Sequence, residues 1–303
     1  MKQLLDSTPI LNDTPQLLHR LRIDGYLYFR HFFDKGLVGS VRGQILDVLY
    51  QHNCLADGFP NEEAVCASNA PTPGPDPRFA ALHQAIQSIA DFHRLPQTDK
   101  MLDLFSRLLD SNVFCHPRKI SRVTLPRLLT DTVPVHQDYT YIGGTVDFLS
   151  AWIPLKDCPV ANGALRILRS SHKGGLVKCE RVDRHPCGVL QIARDHADWH
   201  CVDYTAGDVV LFPATTIHGA TDNELPTIRL AMDVRYQSIH EEVTVWQTKP
   251  PFLPYTPEEW GEYSRTWPDR DLSLIRVPSC VKVLDLPETL PQSMPREYQA
   301  RFF

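Results

Sequence analysis

Two imidazoles and one carboxylate carry most of the chemical information in this sequence. His136 and Asp138 lie two positions apart in Val135-His136-Gln137-Asp138-Tyr139-Thr140, and His218 follows far downstream, after Asp208-Val-Val-Leu-Phe-Pro213 and an Ala-Thr-Thr-Ile run. Both stretches alternate as strands do. Residues i and i+2 of a strand face the same side of a sheet, so His136 and Asp138 can share one ligand. Two histidines and one carboxylate, with three positions left open, form the facial triad suited to non-haem Fe(II). Arg229 stands eleven residues beyond His218, in Thr-Ile-Arg-Leu-Ala-Met. A guanidinium on a strand there offers a planar fork that fits the far carboxylate of a dicarboxylic co-substrate better than a lysine would.

A second histidine-rich stretch, Asp195-His196-Ala-Asp198-Trp-His200, competes for attention. It lacks the Glu that must follow the first His of a zincin helix, since Ala197 stands there. His196 is also too close to His218 to leave chain for the intervening strands. We read it as a polar loop.

Pattern along the chain shows what positions these groups. A short helix over 15–23 leads into a strand at Tyr26–Arg30. Asp34 caps a helix that runs to about Asn53, with Leu37, Val41, Ile45, Val48 and Leu49 as its apolar stripe. Pro71-Thr-Pro-Gly-Pro-Asp-Pro is a loop, because prolines remove donors and block regular elements. Helical patterns occupy 77–93 and 97–110. From Val113 the character changes to short β-rich runs at 113–124, 132–141, 146–154, 163–168, 200–204, 208–213, 215–218 and 227–237. Many short strands with turn punctuation indicate a sandwich or barrel. The expected fold is mainly β with a helical buttress, a double-stranded β-helix of the jelly-roll or cupin-like kind. It forms a single catalytic domain over 1–303: a helical N-terminal elaboration to about 112, the jelly-roll core over about 113–240, and an irregular tail over 241–303 that wraps the barrel.

Five ordered motifs together resemble the phytanoyl-CoA dioxygenase family. They are His136-Gln-Asp138, Asn162-Gly-Ala-Leu-Arg-Ile-Leu-Arg-Ser-Ser-His172-Lys-Gly, Ala206-Gly-Asp208, Ile217-His218-Gly219 and Arg229. Asp24-Gly-Tyr-Leu-Tyr-Phe looks like the family's opening strand, and the resemblance covers roughly residues 20 to 240. It implies an Fe(II)-dependent oxygenase that consumes 2-oxoglutarate and O2, releases succinate and CO2, and hydroxylates or otherwise oxidises a small-molecule substrate. His136, Asp138 and His218 would be the metal ligands and Arg229 the main co-substrate contact. Thr124 is the nearest match to the family's second co-substrate contact, with Arg122 and Lys119 as alternatives. Trp152 matches a family tryptophan near the site. Tyr139, Tyr141 and Gln137 could border the substrate pocket, although Gln137 points away from both ligands if the strand is regular. Two positions depart from the family pattern. Ala220 replaces a serine common two residues after the distal His, and Leu165 stands where some relatives have Thr. In the related iron halogenases the carboxylate position is Ala or Gly, so Asp138 implies oxidation rather than halogenation. Arg229 separates this reading from a cupin-like isomerase or ligand sensor, which needs no dicarboxylate clamp. An intact triad argues against a catalytically silent relative.

Composition fits. The 303 residues are 43% hydrophobic and 22% charged, an ordinary soluble balance. A net charge of −5 gives no basic footprint for nucleic acid. No apolar run is long enough to cross a bilayer. The N-terminus lacks the apolar core of a secretory signal, and Ala-Arg-Phe-Phe at the C-terminus is not a peroxisomal address. The eight cysteines include no C-x-x-C pair, so free thiols and a cytoplasmic enzyme are expected.

Overall fold

Alternation along one strand organises the molecule. In Arg229–Ser238, residues Leu230, Met232, Val234 and Tyr236 belong to the large apolar cluster shared with the N-terminal helices. Arg229, Asp233 and Arg235, of opposite parity, line a pocket on the other side. The computed structural model describes all residues except 74–75, 127–132, 179, 183–184, 191, 194, 252–258 and 286–303.

The larger sheet has six strands. Leu27–Phe29 pairs with Val209–Pro213, which pairs with Phe148–Pro154, which pairs with Arg229–Ser238; Val113–Cys115 and Ile120–Thr124 share the remaining edge of that last strand. All these pairings are antiparallel. Each strand repeats the division of faces. Leu149, Ala151, Ile153, Val209 and Leu211 turn to the helices, whereas Ser150, Trp152 and Phe212 turn to the pocket or to the cluster beside it. A smaller sheet faces it, in the order His218–Ala220, Leu165–Leu168, Trp199–His200. Two antiparallel sheets enclosing a site, buttressed by helices on one side, are the jelly roll that was expected.

The helices behave largely as their caps dictate. Asp13 accepts a hydrogen bond from the Gln16 amide and starts the helix Thr14–Asp24. That helix stops at Gly25, whose φ of 75° is left-handed; a Cβ here would lie 2.3 Å from Nδ1 of His172. Asp34 caps Lys35–Gln51 through the amides of Gly36 and Leu37. Its buried stripe is Val38, Val41, Ile45, Leu46 and Leu49, so Leu37 is exposed and Val48 only half-buried. The pattern over 77–93 divides into Pro77–Gln87 and Ala90–Arg94, and the next helix is Asp99–Leu109.

Four strand expectations need correction. The run 200–204 is a strand only at its start, as Trp199–His200. The run 113–124 is two strands separated by a loop. The strand expected at 215–218 begins only at His218 and runs to Ala220, because Ala214 and Thr215 form a turn closed by the Thr216 amide on the Pro213 carbonyl. The run 132–141, which falls partly outside the described residues, is no strand. His136 makes one isolated bridge to His218, and a helical turn follows at Tyr139–Ile142. Asp138 itself is helical, with φ −61° and ψ −35°. The β propensity of Tyr-Thr-Tyr-Ile is overridden by packing, as Tyr139 and Ile142 bury against Val146, Phe148 and Ala214.

The described part of the tail packs against the helical side. Trp260, Trp267, Leu274 and Ile275 cluster with Ala90, and Val243–Thr244 pairs in parallel with Val283–Leu284. Among the described residues no helix is long and apolar enough to cross a membrane.

Candidate metal and co-substrate site

The two histidines meet directly across the bridge. The His136 amide donates to the His218 carbonyl at 2.9 Å and the His218 amide returns a bond to His136 at 3.0 Å. Residues facing each other in this way project to one side, and the ring centroids lie 4.2 Å apart. Nδ1 of His136 is 2.8 Å from the Pro134 carbonyl, and Nδ1 of His218 is 2.9 Å from the Thr216 carbonyl. A carbonyl only accepts, so each Nδ1 carries the proton and each Nε2 presents a lone pair to the pocket. Asp138 Oδ1 stands 3.6 Å from Nε2 of His136 and 3.8 Å from Nε2 of His218. Among the described residues this is the one cluster of three such donors, with its ligand atoms within 4.8 Å of one another. Convergence thus comes from the bridge and the turn after it, rather than from i, i+2 spacing on a strand.

Electrostatics keep the donors in the forms a cation needs. Burial pushes the Asp138 carboxyl up, but the Arg235 guanidinium beside it outweighs burial and holds the group well below the usual carboxylate range. Burial lowers His218 to about 4, with the neighbouring His136 adding to the effect, so that ring is neutral near pH 7.

Arg229 lies on the same wall and is 3% exposed. One guanidinium nitrogen donates to the Gly163 carbonyl, and its buried Nε has no hydrogen-bond partner.

The profile of the family described as Phytanoyl-CoA dioxygenase (PhyH) matches residues 21–231. The chain belongs to this family. It is an Fe(II)- and 2-oxoglutarate-dependent oxygenase that uses O2. The chain is 28% identical over 249 residues to 1-deoxypentalenic acid 11-beta-hydroxylase of Streptomyces arenae, covering 77% of this chain and 84% of that protein. In fold it resembles the α-ketoglutarate-dependent epimerase SnoN from nogalamycin biosynthesis, with TM-score 0.56 and 18% identity over 81% of this chain and 92% of that one. It also resembles EctD from S. alaskensis with bound Fe, with TM-score 0.52 and 16% identity over 94% and 91% of the two chains.

The residues of this PhyH member fit both groups. Two Nε2 lone pairs and one carboxylate oxygen make a hard, borderline donor set for Fe(II). A buried guanidinium with an unsatisfied Nε matches a carboxylate that has yet to arrive.

The remaining sequence candidates are distributed unevenly. Trp152 lines the pocket and packs on Tyr204 with ring centroids 4.7 Å apart. Thr124 is directly opposite Arg229 in the sheet, on the same face, and half-buried. Arg122 lines the pocket, whereas Lys119 points to the helical side and donates to the Leu274 carbonyl at 2.8 Å. Tyr141 sets its ring edge-on to His136 with centroids 5.1 Å apart. Tyr139 is placed in an apolar cluster behind the turn. Gln137 is turned away from the pocket: its amide donates to the carbonyls of Gly175 (2.7 Å) and Thr215 (2.5 Å) and accepts from the Val177 amide at 2.8 Å. Ala220 and Leu165, the two departures from the family pattern, both line the pocket. In the histidine-rich stretch, Asp198 pairs with Lys2 and His200 with Tyr26.

Sequence reasoning missed Ser150, Asp233 and Arg235. All three line the pocket, and Arg235 forms a buried ion pair with Asp138 at 3.0 Å. The signal was present, because Asp233 and Arg235 share the parity of Arg229 on one strand. Extending the alternation six residues beyond Arg229 places them on its wall.

Proposed function

We propose that His136, Asp138 and His218 hold the iron, that Arg229 receives the 5-carboxylate of 2-oxoglutarate, and that the enzyme hydroxylates or otherwise oxidises a small, largely apolar molecule. The observation that carries the assignment is the pairing of a converged three-donor cluster with a buried arginine whose Nε lacks a partner. Iron, 2-oxoglutarate and O2 supply the oxidising power, with succinate and CO2 as co-products. The protein's own contribution is orientation and exclusion of water. Backbone carbonyls fix both imidazole tautomers, Arg235 and Ser150 fix the carboxylate, and Arg229 fixes the far end of the co-substrate. Val133, Trp152, Leu165, Phe212 and Ala220 make the rest of the wall apolar. A relative named as a hydroxylase of 1-deoxypentalenic acid supports a small organic acid as substrate. Tyr141, beside His136, is the aromatic best placed to border that substrate, and Trp152 and Thr124 flank the co-substrate. Because Asp138 fills the third protein position, the product carries oxygen or an oxidised bond rather than a halogen.

We read residues 1–303 as one catalytic unit, since the helices before Asn112 bury the outer face of the strand that bears Arg229. Cys54, Cys66, Cys115, Cys158, Cys201 and Cys280 are free thiols, which suits the cytoplasm. The test is succinate release from Fe(II)-reconstituted protein, measured over a library of small apolar acids and alcohols that begins with 1-deoxypentalenic acid. Substrate-stimulated succinate should appear, and should vanish in His136→Ala. Stimulated succinate that persists in His136→Ala would overturn the ligand assignment.

A further inference from the structure

We infer that Arg235, with Ser150, is a positioning residue that makes Asp138 a one-oxygen ligand. This rests on the triad reading above. Oδ2 of Asp138 accepts from Ser150 Oγ, from Arg235 Nε at 3.2 Å and from Arg235 Nη2 at 3.0 Å. Oδ1 is the oxygen nearer both imidazoles, and Nη2 reaches it at 3.2 Å. Ser150 and Arg235 are direct partners across two neighbouring strands, so both donors arrive from one rung of the sheet. The rung is rigid because the opposite faces of those strands are packed into the main apolar cluster.

Both charged groups are buried, with side-chain exposures of 7% for Arg235 and 3% for Asp138. Asp233 is the other carboxylate in reach of Arg235, at 3.8 Å. It is itself taken by Arg122 at 2.5 Å, so it does not draw Arg235 from Asp138. The chain Arg122–Asp233–Arg235–Asp138 therefore ends on the proposed metal ligand. A carboxylate free to rotate can grip a hard cation through both oxygens and take up a second coordination position. Holding Oδ2 in hydrogen bonds prevents that, and keeps three positions open rather than two.

The denticity can be read without turnover. Mn(II) is the probe, and water-proton relaxivity counts the exchanging waters on the bound ion. The wild-type protein with Mn(II) alone should show a strong enhancement, and His218→Ala should lose it. Arg235→Met, saturated with Mn(II), should show relaxivity lower by about one third, as three open positions become two on a six-coordinate ion. Arg235→Lys keeps the charge while losing the fork, and should fall between the two; it also serves if the Met variant does not fold. Ser150→Ala, which leaves Arg235 in place, should change relaxivity less than either. Wild-type relaxivity in the folded Arg235 variants would overturn the positioning role. A wild-type enhancement that survives in His218→Ala would instead overturn the triad reading, so the two failures are distinguishable.

Discussion

The two ends of the pocket are built on opposite plans. At the metal end Asp138 is saturated: Ser150 and Arg235 hold one oxygen, and the imidazoles flank the other. At the proposed co-substrate end Arg229 is equally buried but has one neutral carbonyl as partner and an Nε without a protein partner. Removing a partner from a buried ion pair costs far more than removing a buried charge that has no partner. The metal end is therefore organised before any ligand arrives, and its residues support folding as well as chemistry. The proposed co-substrate end keeps a buried donor, Nε of Arg229, without a protein partner. Stability and function should consequently separate along a single strand, since Arg229 and Arg235 are three side chains apart on one face.

The largest effect should come from breaking the saturated end. Asp138→Ala is expected to abolish turnover and also to destabilise the protein by about 3–5 kcal/mol, because Arg235 is left buried without its counter-charge; chemical denaturation of the apo-protein checks the second part. His136→Ala should abolish turnover with a much smaller stability loss, since its ring is held by one backbone carbonyl. Equal destabilisation by both would erase the distinction drawn here.

Arg229→Met is the matching test of the open end. Affinity for 2-oxoglutarate should fall by roughly thirty-fold or more, taking about 2–5 kcal/mol for truncating one partner of a buried charge pair at about 1.4 kcal/mol per tenfold. The melting temperature of the ligand-free variant should be unchanged or higher. Isothermal titration of 2-oxoglutarate into the Ni(II)-loaded variant measures the first quantity, and calorimetric melting the second. Unchanged 2-oxoglutarate affinity would move the assignment to Arg122.

A smaller effect is expected behind the metal turn. Gln137→Ala leaves the carbonyls of Gly175 and Thr215 and the Val177 amide without their side-chain partner, costing about 1–3 kcal/mol. Activity per folded molecule should change little, because the amide faces away from the pocket. A further effect concerns pH. Burial lowers His83 and His116 to about 4 each, below the ordinary 6.5. Protons bind the unfolded chain first, so apo-protein stability is fully present above about pH 6.5 and declines as pH falls toward 4. Replacing either histidine by Gln should flatten that decline in melting temperature.

How much was legible in the sequence can be stated residue by residue. The candidates His136, Asp138, His218 and Arg229 stand out in the sequence because metal and carboxylate chemistry demand few residue types in a fixed order, and the structure brings the first three together. The turn after His136 was not legible, since Tyr-Thr-Tyr-Ile has strand propensity and only the pocket formed by Val146, Phe148 and Ala214 makes it helical. Nor was the split at Ser88 between two short helices, where no proline or glycine marks the break. Arg235 was overlooked for a different reason. Its role depends on Ser150, a cross-strand partner 85 positions earlier, and register between distant strands is not written in local pattern.

The most direct test of the account is an anaerobic crystal structure with Mn(II) and 2-oxoglutarate. Metal density should be bounded by Nε2 of His136, Nε2 of His218 and Oδ1 of Asp138, with Oδ2 still on Ser150 and Arg235, and the 5-carboxylate of 2-oxoglutarate should bond to Nε of Arg229. Metal bound away from these three residues, or the 5-carboxylate seated on another cation with Arg229 Nε still unpaired, would contradict the account.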